Sequence, residues 1–263
     1  MRMTCMKKIA CVAAAVSLLA GIMTSCSKKE QVVINSADDL TGRTVGCQAV
    51  TTGELYLQEE AQDVKIRSFK TGIDAALDLK NGGLDAVVLD EIPAKEIVKQ
   101  FPQLTIVNAS FASEEYAIAV RKGEPELLGS INKTIKAMKD DGTYDKLLAS
   151  FIPADGKIVL PQTIPTSGSK TVKMGTNAAF PPFEYIESSD PVGFDITLSQ
   201  MIARDYGAKL EVVNMEFDAL IAALQSGAID FIASGMTATD ERRKNVDFSE
   251  TYFSTNQVII VRK

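Results

Sequence analysis

A chain of 263 residues has room for one large domain or two small ones, and a hydrophobic share of 46% is that of an ordinary globular protein. A formal charge of −6 without a basic block argues against a nucleic-acid partner. Histidine is absent, which removes the commonest general base and metal ligand and counts against an enzyme or a metal site without excluding either.

The N-terminus reads as an address. Arg2, Lys7 and Lys8 precede an apolar run from Ile9 to Met23, short for a membrane span and suited to the core of a signal peptide. Met23-Thr24-Ser25-Cys26, followed by Ser27-Lys28-Lys29-Glu30, resembles a bacterial lipobox, with Met23 where Leu is usual. The resemblance implies loss of residues 1–25, diacylation of Cys26 and a tether over residues 26–35. Ordinary secretion, with Cys26 an incidental thiol, is the alternative. With Cys26 acylated, Cys47 alone remains, so no internal disulfide is expected, and its apolar neighbours predict a buried small hydrophobe.

Strand-like Thr44–Gln48 is followed by helix-like Gly53–Gln62. Helical spacing over Ile73–Asn81 stops at Gly82-Gly83, and the apolar run Asp85–Leu89 suits a strand buried on both faces. A helix over Pro93–Gln100 and a strand over Leu104–Val107 continue the alternation, which predicts a mostly parallel sheet with helices on both faces. Tyr116–Val120 reads as a strand, and Glu126–Lys139 and Tyr144–Phe151 as helices. Residues 153–171, rich in Pro, Gly, Ser and Thr, read as a linker. The second block predicts strands at Val172–Thr176, Leu210–Asn214, Asp230–Ser234 and Gln257–Lys263, with helices at Phe194–Tyr206, Ala219–Gln225 and Thr239–Asn245.

Two segments recur. Leu79-Lys80-Asn81-Gly82-Gly83-Leu84-Asp85 is echoed by Leu224-Gln225-Ser226-Gly227-Ala228-Ile229-Asp230, and Ala117–Lys122 by Val258–Lys263. Matched pairs imply two similar lobes. Ligands of open α/β sheets sit beyond the C-terminal strand ends, so the loops after Gln48, Thr176, Leu89 and Ser234 would line one cleft. That cleft would hold Arg242, Asp90, the hydroxyls of Thr51, Thr52 and Thr237, and the rings of Phe180 and Phe217. A guanidinium fits a carboxylate and a carboxylate fits an ammonium, so the set suits the two charged groups of an amino acid. Each residue also has a plainer reading. Arg242 suits a surface ion pair, Asp90 a helix cap, the phenylalanines core packing, and Thr51-Thr52 a simple turn.

Residues 172–250 resemble the opening lobe of bacterial polar amino acid-binding proteins of ABC importers, that is, extracellular solute-binding proteins of family 3. The motifs are Gly175-Thr176-Asn177-Ala178-Ala179-Phe180-Pro181-Pro182-Phe183-Glu184-Tyr185, Val192-Gly193-Phe194-Asp195-Ile196, Phe217-Asp218-Ala219-Leu220-Ile221-Ala222-Ala223-Leu224 and Ser234-Gly235-Met236-Thr237-Ala238-Thr239-Asp240-Glu241-Arg242-Arg243. Residues 36–152 resemble the rest of that family, through Thr51-Thr52-Gly53-Glu54, Leu84-Asp85-Ala86-Val87-Val88 with Asp90, and Asp141-Gly142-Thr143-Tyr144. The resemblance implies a two-lobed α/β fold of the type II periplasmic-binding-protein kind. It implies a carboxylate clamp at Arg242, an amine partner at Asp90, side-chain walls at Phe180 and Phe217, and polar contacts from Gln48, Thr51, Thr52, Asn177, Ser234, Gly235 and Thr237. No cofactor, metal or catalytic residue is implied. Two departures stand out: Val50 where the family often has Gly, and Asn177 where binders of Lys or Arg tend to carry an acid, which favours an uncharged polar ligand.

The block order is exchanged relative to the family, which implies a circular permutation. One lobe would comprise 36–111 plus 257–263 and the other 116–152 plus 172–250, with hinges at 112–115 and 251–256 and linker 153–171 joining the ancestral termini. The expected protein is a monomer, lipid-anchored in the cell envelope on the periplasmic side of a membrane or the outer face of the cell membrane. It would close on a free amino acid and deliver it to an ABC permease. The alternatives are an enzyme on the same fold, of cyclohexadienyl or arogenate dehydratase type, and a detached sensor domain.

Overall fold

The computed structural model describes residues 33–59, 61–107 and 112–263. The expected signal peptide, the lipidation site Cys26 and most of the tether lie outside the described residues. Among those described, no helix is long and apolar enough to cross a membrane.

Residues Ile34–Lys263 form one unit with two α/β lobes. In the first, strands β1 (Thr44–Gln48), β2 (Lys65–Phe69) and β3 (Ala86–Asp90) make a parallel core, joined by β4 (Leu104–Ile106) and β5 (Ala112–Tyr116). In the second, β6 (Ala119–Arg121), β7 (Lys170–Thr176), β11 (Ala208–Asn214), β12 (Phe231–Ile232) and β13 (Val246–Phe248) are ordered β11-β7-β12-β6-β13. A small antiparallel sheet of β8 (Ala179–Phe180), β9 (Glu184–Glu187) and β10 (Asp190–Val192) belongs to the same part of the chain. The last strand, β14 (Phe253–Arg262), returns to the first sheet, antiparallel to β3, β4 and β5. Both sheets thus have a parallel centre and antiparallel closing strands.

Helices α1 (Thr52–Glu59), α2 (Gly72–Lys80) and α3 (Glu91–Gln100) follow strands of the first sheet. Helices α4 (Pro125–Asp140), α5 (Thr143–Phe151), α6 (Phe194–Tyr206), α7 (Leu220–Ser226) and α8 (Asp240–Asn245) serve the second. Local chemistry sets their ends. Thr71 caps α2 by accepting the Asp74 N–H at 3.1 Å. Pro125 opens α4, where its missing N–H costs nothing. Every residue of β3 is buried, as an apolar run between two helical layers requires.

The structure departs from the sequence expectations at sheet edges. Strand β2 was not expected: it is an edge strand whose Lys65, Arg67 and Ser68 are largely solvated, so it lacks the apolar signature of its neighbours. The β8–β10 sheet and β13 were also unforeseen, being two to four residues long. The expected strand Tyr116–Val120 is split, because the chain changes partners there. Tyr116 still pairs with Phe253, while Ala119 pairs with Ile232 and Phe248. Both segments expected to cross between lobes are largely strand: Phe253↔Tyr116 through Gln257↔Ala112 form a two-stranded antiparallel ribbon. Residues 153–169 carry no helix or strand, and they are held along the second lobe through Ile164 N–H to Gln200 Oε1 and Leu210 N–H to Thr166 Oγ1, each at 3.0 Å. Cys47 is buried and free, and burial pushes its thiol up to about 12.

Candidate functional site

A cavity opens where the C-terminal ends of β1, β3, β7 and β12 converge. All eleven residues expected at the cleft line it, together with Leu89 and Glu184. About 370 Å³ there is free of protein atoms, open solvent included, and side-chain contacts across it narrow the space to a slot. The lobes touch across it. Gln48 Nε2 donates to Asn177 Oδ1 at 3.0 Å, and Arg242 Nη2 donates to the Val50 carbonyl at 2.9 Å. At the rim, Lys70 and Glu216 form an exposed pair at 3.4 Å, worth little energetically.

Arg242 comes from α8, capped by the Thr239 hydroxyl, which accepts the Arg242 N–H at 3.2 Å. Its side chain turns inward and is only 7% exposed. Nη1 donates to the Thr237 carbonyl at 2.8 Å, and the guanidinium lies over the Phe217 ring at 5.4 Å. Arg242 joins none of the ion pairs among the described residues. Burial pushes its pKa down to about 10, with Glu114 and Asp90 pulling the other way, so it stays charged at neutral pH. A buried guanidinium whose side-chain hydrogen bonds go to neutral carbonyls keeps its charge free to meet an incoming anion.

Asp90 ends β3 and precedes α3, but its side chain makes no cap bond to that helix. It is also 7% exposed. Oδ1 accepts the Tyr116 hydroxyl at 2.7 Å and Oδ2 accepts Gln257 Nε2 at 3.0 Å. The same Gln257 nitrogen donates to Glu114 Oε1 at 3.1 Å, and Glu114 Oε2 accepts the Thr237 hydroxyl. Burial, and then the neighbouring Glu114, push the Asp90 carboxyl up to about 7.

Thr51 donates its hydroxyl to the Gln48 carbonyl at 2.8 Å, and Thr52 opens α1. Val50 adopts φ +61°, the left-handed region that glycine enters freely and a β-branched residue does not. The β-branched side chain of Val50 is therefore held there at a conformational cost. Asn177 is held through side chain and backbone: Nδ2 donates to the Met215 carbonyl at 2.9 Å, Oδ1 accepts from Gln48, and its N–H donates to Ser234 Oγ at 3.0 Å. Gly235 sits at φ +51°, and a Cβ there would come within 2.7 Å of the Phe180 ring, so only glycine fits. Phe180 packs against Tyr116 and Phe183 and walls the slot.

The sequence reading missed Leu89 and Glu184 on the lining, and Glu114, Tyr116 and Gln257 behind it. Glu184 carried a legible signal, an acid inside the apolar run Phe180–Tyr185. Leu89 directly precedes Asp90 on β3, whereas Glu114, Tyr116 and Gln257 lie on strands whose pairing brings them to Asp90, and sequence spacing holds no trace of that. Among the described residues, no cluster of His, Cys, Asp or Glu is placed to hold a metal ion.

The profile of the bacterial extracellular solute-binding proteins, family 3, matches residues 19–154 and 172–263. The arginine-binding extracellular protein ArtP of Bacillus subtilis (strain 168) is 46% identical over 97 residues, which is 37% of this chain and 38% of that protein. The L-cystine-binding protein TcyJ of Escherichia coli (strain K12) is 32% identical over 138 residues, 52% of each. The chain thus spans about half the length of these curated relatives, or less. The arginine-bound form of domain 1 from TmArgBP, a solved structure, aligns with 42% identity and a TM-score of 0.31, covering 35% of this chain and 80% of that one. The two-lobed mixed α/β architecture matches the type II periplasmic-binding-protein fold.

Proposed function

The chain belongs to the bacterial extracellular solute-binding proteins, family 3, and we propose that it captures a free polar amino acid between its lobes and delivers it to an ABC permease. One observation carries the reading: a buried guanidinium and a buried carboxylate line the same slot without pairing with each other. The ligand carboxylate lies on Arg242, with the backbone N–H groups of Thr51, Thr52 and Thr237 nearby. The ligand ammonium lies on Asp90. Phe180 walls the side chain, while Phe217 backs the Arg242 guanidinium. Gln48 and Asn177, both neutral amides, join the lobes beside it and favour an uncharged polar side chain. The named relatives bind arginine and L-cystine, so the side-chain end of the site is where ligands are told apart.

The chain order is that of a circular permutation, with lobes of 36–111 plus 257–263 and 116–152 plus 172–250, hinges at 112–115 and 251–256, and the linker 153–171. In support, the family profile matches on either side of residues 155–171. A permuted order also accounts for the short alignments, since a collinear match captures one block at a time. The β5–β14 ribbon supplies a paired hinge, suited to lobe closure as one motion. Residues 1–25 are a signal peptide, and Cys26 carries the lipid that holds a monomeric protein at the envelope.

An enzyme of cyclohexadienyl dehydratase type is the second reading. It is favoured by Asp90, whose carboxyl at about 7 lies in the range of a general acid. The test is thermal-shift screening against the twenty amino acids and cystine, followed by calorimetry, with arogenate and prephenate as turnover controls. At least one amino acid is expected to raise the melting temperature by several degrees, and Arg242→Ala should abolish that shift. If none does, the capture reading falls; consumption of either control would favour the enzyme.

A further inference from the structure

Two acids meet at the floor of the slot in a manner the ligand scheme does not use. Glu184 opens β9, Asp195 lies in the first turn of α6, and both have no exposed surface. Glu184 Oε1 accepts the Ser234 hydroxyl at 2.8 Å. Asp195 Oδ2 accepts the Gly235 N–H at 2.9 Å and the Tyr252 hydroxyl at 2.7 Å. The remaining oxygens, Glu184 Oε2 and Asp195 Oδ1, are buried and find no donor among the described residues. Their anchors, Ser234 and Gly235, are consecutive residues, so the two carboxyls meet at one edge of the slot and each acts on the other's titration. Two ionised carboxylates would leave two orphaned acceptors, each costing about 1–3 kcal/mol, and two like charges in contact away from water. One proton removes both penalties.

We propose that Glu184 and Asp195 share one proton through neutral pH, carried on Glu184 Oε2 and donated to Asp195 Oδ1, and that the pair positions the Ser234–Gly235 edge of the slot. Asp195 keeps the charge because it collects more donors: the Gly235 N–H, the Tyr252 hydroxyl and the shared proton, against the Ser234 hydroxyl alone for Glu184. Asp195 also sits in the first turn of a thirteen-residue helix, where the backbone N–H groups favour an anion. The other titratable groups that face the pair push the same way. Asp90 adds a negative field at Glu184, Glu114 adjoins Asp90, and Tyr116 and Tyr252 are buried and neutral. Arg242 lines the same slot but gives neither acid a hydrogen bond. Burial pushes both carboxyls up, Glu184 well above the carboxylate range and Asp195 to about 6, the order expected when Glu184 holds the proton.

The consequence for ligands rests on the capture reading. With Glu184 neutral, Arg242 and Asp90 are the charged side chains left on the slot lining, one for each charged group of a zwitterion. The proton assignment itself does not depend on that reading.

Two amide variants and one spectrum test it. Glu184→Gln keeps an acceptor for Ser234 and supplies an N–H to Asp195 Oδ1, so its melting temperature at about pH 8 should stay within about 2 °C of the parent. Asp195→Asn loses the anion that Gly235 and Tyr252 bind, and should melt several degrees lower. The opposite ranking would put the proton on Asp195 and overturn the assignment. A rise in both variants would mean two ionised carboxylates and overturn the sharing. Infrared spectroscopy needs no variant to fold. At about pH 8, where Asp90 with its carboxyl at about 7 is mostly ionised, the parent should keep a protonated-carboxyl C=O stretch that shifts in D2O, and Glu184→Gln should lose it. Absence of the band in the parent defeats the proposal. Presence of the band with no amino acid binding would instead defeat the capture reading.

Discussion

In the first lobe, Asp85 Oδ2 accepts the N–H of Thr44 at 2.9 Å, and its own N–H donates to the Thr44 carbonyl at 2.8 Å. In the second, Asp230 does the same to Lys173, at 2.8 Å in both directions. Arg262 Nη1 donates to the Leu79 carbonyl at 2.7 Å, and Arg121 Nη1 donates to Leu224 at 3.1 Å. The two sequence repeats therefore interlock crosswise: the first copy of the helix-turn motif is clasped by the last strand of the chain, and the second copy by a strand more than a hundred residues earlier. Five residues beyond the matched aspartates the likeness stops. Asp90 stands at the slot in one lobe and Gly235 in the other. One scaffold, built twice, thus presents a carboxylate from one side. From the other it presents backbone N–H groups, a hydroxyl and Arg242. The scaffold is repeated where it supports and diverges where it meets the slot.

That divergence is open to test. Asp90→Asn is expected to weaken ligand binding about a hundredfold, roughly 3 kcal/mol, because it leaves a buried ammonium without its anion. A change below about threefold in calorimetry would overturn the placing of the ligand ammonium on Asp90. The same carboxyl governs stability. Its folded-state pKa of about 7 lies above the unfolded value near 3.8, so the folded protein binds this proton more tightly. The stability it contributes is fully present below about pH 4 and is lost as pH rises through about 7. Asp195, raised to about 6, acts in the same direction over a narrower window. The ligand-free protein should therefore melt higher near pH 5 than near pH 8, and Asp90→Asn should flatten part of that slope.

The matched half of the comparison predicts matched losses. Asp85→Ala and Asp230→Ala should each cost about 1–2 kcal/mol in urea unfolding, since each removes a charged hydrogen bond that ties a helix end to a strand start. Unequal losses would mean that the repeat is one of sequence rather than of support. The smallest effect is at Val50, whose left-handed φ is unfavourable for a β-branched side chain. Val50→Gly should stabilise by about 0.5–1 kcal/mol, the relief of strain offset in part by a freer unfolded chain.

Much of this was legible beforehand. Helix stops at Gly82 and Gly227, the apolar runs of β3 and β14, and the order of the motifs are local properties, and all eleven cleft residues line the slot. Strand β2 escaped notice because an edge strand need not be apolar. Glu114 and Gln257 escaped because only the β5–β14 pairing carries them to Asp90.

What the sequence alone determined, then, was the set of elements, the doubling of the scaffold and the chemical types at the strand ends, since each depends on residues near one another in the chain. Only the tertiary structure decided which repeat clasps which, that Arg242 and Asp90 remain unpaired in one slot, and that Glu184 and Asp195 are buried on the adjoining residues Ser234 and Gly235. Those outcomes depend on burial and on partners far apart in sequence, where desolvation rather than residue type sets the charge a side chain can carry.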